Sequence, residues 1–88
     1  MIKLYPIILT KTEDGYVVNI PDFDMDTQGR DIIESVYMAR DVIGLMGIVR
    51  EDEKRGIPEP NTVDYVLNAD EILIYVDVDY EEYRESIS

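Results

Sequence analysis

The block Asp14-Gly15-Tyr16-Val17-Val18, followed by Ile20-Pro21-Asp22, Thr27-Gln28-Gly29 and a long amphipathic run from Asp31, constrains this chain more than any other feature. Its order reads as hairpin, third strand and helix with almost no spare residues, and it carries no catalytic side chain. Upstream, Ile2 to Thr10 is rich in Ile, Leu and Tyr and reads as the first strand, with Pro6 marking either an edge position or a strand that starts properly after it. Thr12-Glu13-Asp14-Gly15 supplies the turn, and Tyr16 to Ile20 returns as the second strand. Pro21 lacks an N–H and interrupts the ladder, so Asp22-Phe23-Asp24 forms a corner before a short strand from Met25 to Gln28 that Gly29 ends.

Asp31, with Glu34 three residues on, has the spacing of a helix N-terminus in which each side chain satisfies a free backbone donor. Ile32, Val36, Ala39, Ile43 and Met46 then form one apolar stripe. Ile33, Tyr37, Leu45 and Ile48 fall off that stripe, and Gly44 and Gly47 each cost about 1 kcal/mol of helix propensity relative to alanine. An interface with a second copy explains both features; a wide core stripe with tolerated glycines is the alternative. The helix should run out in 51–55 and stop at Gly56, followed by an extended Ile57-Pro58-Glu59-Pro60 connector.

Val63, Tyr65 and Leu67 alternate as a strand would, but Asn68-Ala69-Asp70 reads as a turn. From Ile72 to Asp79 the alternation is that of a fourth strand. Residues 1–80 are expected to form the domain, and 81–88 an acidic tail that makes a turn or two of helix or frays. The fold class is α+β, in the order strand-strand-strand-helix-strand, with an antiparallel three-stranded meander and one packed helix. If Ile8, Val18 and Ile74 face the helix, then Tyr5, Ile7, Leu9, Leu73 and Tyr75 lie on the opposite face, which needs a second chain for cover.

Composition removes whole classes of chemistry. Eighty-eight residues make one small core. There is no cysteine and no histidine, so thiol catalysis, thiolate zinc sites and the commonest general base are excluded. A formal charge of -12 opposes nucleic-acid binding and favours a basic partner. The final 28 residues hold eight acids against Arg84 alone. The N-terminus is too short in apolar residues for a signal peptide or a membrane span, so the expected location is the cytoplasm.

In combination, Tyr5-Pro6, Asp14-Gly15-Tyr16-Val17-Val18, Ile20-Pro21-Asp22, Thr27-Gln28-Gly29 and Ile57-Pro58-Glu59-Pro60 resemble the N-terminal domain of HicB-type antitoxins over roughly residues 4–79. The resemblance implies a partial ribonuclease-H-like fold and an antitoxin that neutralises a small basic HicA-type mRNA-cleaving toxin. A separate C-terminal DNA-binding module is common in that family. The corner Asp22-Phe23-Asp24-Met25-Asp26 replaces the family's usual Leu-Pro-Gly-Cys type of segment, and no helix-turn-helix or ribbon-helix-helix follows within the 88 residues. Direct nucleic-acid binding by this chain is therefore not expected.

Asp22, Asp24 and Asp26, together with Asp77 and Asp79, are the candidates for contact with the toxin, placed where phosphates would sit; Phe23 and Tyr75 are candidate anchors, as are Tyr5 and Tyr80. Ile33, Tyr37, Leu45 and Ile48 are the candidate homo-oligomer surface. No cofactor is expected. The same carboxylates keep open a metal-dependent ribonuclease-H-like nuclease, although Ile2 to Thr10 lacks the acid such an enzyme needs on its first strand. An orphan protein-interaction module is the third reading.

Overall fold

The computed structural model describes residues 2–61 and 64–87. Strands β1 (Ile2–Lys11), β2 (Tyr16–Ile20) and β3 (Met25–Gly29) precede the long helix α1 (Ile32–Asp52), strand β4 (Glu71–Asp79) and helix α2 (Tyr80–Ile87). They build an α+β fold around one antiparallel sheet in the order β3-β2-β1-β4. β4 pairs with nearly all of β1, from Ile2↔Asp79 to Thr10↔Glu71. β2 meets β1 only from Ile8 to Lys11, so Pro6 has β4 as its one ladder neighbour and its missing N–H is tolerated.

The Thr12 N–H donates to the Gly15 carbonyl at 2.8 Å to close the hairpin. Gly15 has φ 156°, and a side chain there would collide with the Gly29 carbonyl, so the turn requires glycine. The corner after β2 is one turn of 3-10 helix, Pro21–Phe23, which ends on a left-handed Asp24 with φ 51°.

Asp31 caps α1 as expected: its carboxylate accepts the Glu34 N–H at 2.7 Å. Glu34 reaches one residue further back than the usual reciprocal cap, accepting from the Arg30 N–H at 3.0 Å and pairing with its guanidinium. The helix stops earlier than Gly56. The Arg55 N–H donates to the Arg50 carbonyl and the Lys54 N–H to that of Glu51, with Lys54 left-handed at φ 62°. That is a Schellman closure with lysine in the position glycine usually takes.

Tyr5, Ile7 and Leu9 face α1 and are fully buried with Val18, Ile20, Val76, Ala39 and Ile43. This corrects the expected face: Ile8, not Leu9, points away from the helix. The register decides it, because Leu9 stands opposite Val18 and Ile7 opposite Ile74. β1 is apolar on both faces, so its own alternation does not specify which one is covered.

The last residues make about two turns of helix, the first of the two outcomes expected for them, and this α2 packs on α1. Gly44 and Gly47 are the notches that admit Tyr83 and Tyr80; a Cβ at either glycine would fall under 3.0 Å from the ring it faces. Arg84 ties the same helix to Glu51 at 2.7 Å and Asp52 at 3.1 Å. The two glycines are thus explained within one chain. Residues 64–68 form no strand, and Val63 lies outside the described residues.

Candidate protein-partner surface

The acids singled out in the sequence do not gather into one patch. Asp22 accepts from both the backbone N–H and the side-chain amide of Asn61, at 3.1 and 2.7 Å, and so fixes the connector after α1. Asp26 accepts from the Asn19 amide at 2.9 Å across β2 and β3. Asp77 takes a guanidinium bond from Arg40 at 2.9 Å. Asp79 accepts the N–H groups of Glu81 and Glu82, capping α2. Asp24 is exposed at the corner.

β3 and β4 are the two opposite edges of the sheet, three strand spacings or about 14 Å apart. The acids from 22 to 26 and the pair 77 and 79 therefore occupy opposite borders. Among the described residues no three carboxylates converge in a manner that could hold a metal ion. The sequence alternation made such a cluster conceivable, and the strand order separates it.

The electrostatics follow these partnerships. The Arg40 hydrogen bond is the main cause holding the Asp77 carboxyl below the usual aspartate range. The Arg30 guanidinium does the same for Glu34. Lys3 pairs with Glu59 at 2.6 Å and Arg55 with Glu53 at 3.2 Å, while Lys11 and Arg50 sit over the rings of Tyr16 and Phe23. Much of the chain's limited positive charge is thus engaged internally, leaving the acidic excess to set the external field.

The aromatic candidates divide. Phe23 packs edge-on against Tyr5 at 5.4 Å and is half-buried. Tyr5 and Tyr80 are core residues, which corrects their expected role as contact anchors. The Tyr5 hydroxyl donates to the Pro58 carbonyl at 2.6 Å, and that of Tyr80 lies 3.1 Å from the Ile43 carbonyl and 3.3 Å from the Tyr5 hydroxyl. Burial is the leading cause pushing both phenols above 10.0. Tyr75 is 55% exposed on the outward sheet face.

Of the residues read as an oligomer surface, Ile33, Tyr37 and Leu45 are exposed on α1. Ile48 is 4% exposed and belongs to the core, because the α2 side of the helix is covered there. The sequence reading missed Ile2 and Leu4, which are 65% and 56% exposed on the outward face of β1. Their signal was β1's apolar character at both parities, which leaves one set uncovered wherever the helix lies.

A concavity of about 410 Å³ between β1, the connector and α2 contains Lys3 and Arg84, both already in ion pairs with neighbouring glutamates. No described helix is long and apolar enough to cross a membrane.

The chain is a small α+β domain with an excess of acidic residues. No protein-family model matches the chain. A curated relative from Haemophilus phage HP1 (strain HP1c1), described as an uncharacterized 14.9 kDa protein in the rep-hol intergenic region, is 34% identical over 83 residues. The alignment covers 86% of this chain, and the chain spans 61% of the relative's length. Among solved structures, a chain of a toxin-antitoxin complex from Streptococcus pneumoniae superposes with a TM-score of 0.77 at 23% identity, covering 94% of this chain and 73% of that one. The two chains share a fold.

Proposed function

We propose that this protein is the antitoxin of a toxin-antitoxin pair, of HicB type, and that it neutralises a small basic HicA-type ribonuclease by covering its RNA-binding surface. The observation that carries this reading is the shared fold with a chain of a toxin-antitoxin complex over 94% of the sequence. Three features support it. The net charge of -12 suits a cationic partner and opposes RNA as the ligand. Asp22, Asp77 and Asp79 bind the connector, Arg40 and the start of α2 respectively and do not meet at a common centre. The strand-strand-strand-helix-strand order is the one that the proposed ribonuclease-H-like relationship would require. The exposed Ile33, Tyr37 and Leu45 on α1 are the proposed contact between copies, and the cytoplasm is the proposed location.

Co-expression with the short basic frame adjacent to its gene tests the reading. The expected result is rescue of growth and a co-purifying complex whose association slows as salt rises. RNA cleavage by the purified chain with magnesium or manganese, lost on Asp24→Asn or Asp77→Asn, would replace the antitoxin with a nuclease.

A further inference from the structure

The sheet face turned away from α1 combines two properties found together nowhere else among the described residues. It is apolar where β1 meets β4: Leu4 stands opposite Asp77, Ile2 opposite Asp79 and Pro6 opposite Tyr75, with Ile2, Leu4 and Tyr75 more than half exposed. Side chains two apart on one strand are about 7 Å from each other, and diagonal neighbours across strands lie at a similar distance. The three side chains therefore form one patch, while exposed Val17 lies opposite Thr10, about 20 Å along β1 from Leu4.

The charges at outward strand positions are Asp26, Glu71, Asp77 and Asp79, of which Asp77 and Asp79 stand directly opposite Leu4 and Ile2, and no lysine or arginine occupies such a position. An apolar centre with an acid-only border is complementary to a cationic protein surface with an apolar centre. It opposes nucleic acid, which needs cations, and it opposes a second copy, which would bring two identical acidic borders together on chains of charge -12. The exposed stripe on α1 lacks this bias, because Arg30 neutralises Glu34 beside it, whereas at the sheet face one cation, Arg40, offsets one of the acids, Asp77. Strand addition at the β4 edge is also disfavoured, since Arg40 donates to the Asp77 carbonyl at 3.0 Å and obstructs that edge.

We infer that the outward face at the β1–β4 end is the docking surface for the cationic protein partner, with Leu4 and Tyr75 as its apolar anchors. The inference rests on the antitoxin reading and locates its contact, narrowing the expected residues from both borders of the sheet to the end that carries Tyr75, Asp77 and Asp79.

The test is the affinity of the full chain for an inactivated HicA-type toxin from the adjacent frame, measured for wild type, Leu4→Ser/Tyr75→Ser and Met38→Gln, the last on exposed α1 surface. Both altered faces are solvent-exposed, so unfolding midpoints should stay close to wild type. The double variant should bind about 100-fold more weakly, and Met38→Gln should bind as wild type. Hydroxyl-radical footprinting of the wild-type complex is independent of variant folding, and should protect Tyr75 while leaving Met38 reactive. Wild-type binding with an unaffected double variant, or protection at Met38 rather than Tyr75, overturns the location and leaves the antitoxin reading standing. A double variant altered only in self-association makes the face a contact between copies and overturns the proposal as well. Failure of the wild-type chain to bind overturns both.

Discussion

Replacing Gly47 by alanine sets two effects of opposite sign against each other. In an isolated helix the change stabilises by about 1 kcal/mol, because alanine loses less backbone entropy. In this fold the added methyl would stand 2.5 Å from the Tyr80 hydroxyl and 2.6 Å from its ring carbon Cζ. The ring cannot swing away freely: Tyr80 is buried, and its hydroxyl is held near the Ile43 carbonyl and the Tyr5 hydroxyl. Overpacking costs about 1–3 kcal/mol, and expelling the ring forfeits a burial term of similar size. The clash should win by about 1 kcal/mol, lowering a urea midpoint by about 0.5–1 M at unchanged slope. In a Tyr80→Ala background the obstacle is gone, and the same substitution should stabilise by about 1 kcal/mol. Gly44→Ala faces the half-exposed Tyr83 and should cost less. If Gly47→Ala raises the wild-type midpoint, propensity rules the site and α2 does not dock there.

Lys54→Gly should stabilise by about 0.5–1 kcal/mol, since lysine holds a left-handed φ of 62° at the end of α1; chemical denaturation reads it directly. Asp22→Ala should cost about 1–2 kcal/mol and increase amide exchange around Asn61, whose two donors lose their acceptor. Tyr5 and Tyr80 have phenol pKa values raised above 10.0, chiefly by burial, so the folded state holds these protons more tightly than the unfolded one. Their contribution is complete below the unfolded value and is lost as pH rises beyond it. Midpoints should be flat up to pH ~10 and fall above it, less steeply in Tyr80→Phe.

What was legible in the sequence was local. The hairpin turn, the Asp31 cap and the alternation of β4 each depend on residues within a few positions, and each appears where expected. The facing of β1 was not legible, because both parities are apolar and the choice follows from the four-residue loop that sets Lys11 opposite Tyr16. The role of Gly44 and Gly47 was hidden for a different reason. Their three-residue spacing matches that of Tyr80 and Tyr83, a correspondence between distant segments visible only when both are recognised as helices. Ile48 was misplaced for the same cause: without α2 it reads as surface.

These placements change how an acidic interface has to be probed. Charge reversal at Asp79 would uncap α2, at Asp22 would release the connector, and at Asp77 would unseat Arg40. Each would weaken partner binding through the fold and imitate a lost contact. The collective negative field and the apolar patch should instead act on different rate constants. Long-range attraction governs encounter, so raising salt should lower the association rate with little effect on complex lifetime. Leu4 and Tyr75 act only after contact is made, so Leu4→Ser/Tyr75→Ser should shorten the lifetime while leaving the salt dependence of association intact. If the double variant slows association as strongly as salt does and leaves dissociation unchanged, steering and anchoring are not separable on this surface.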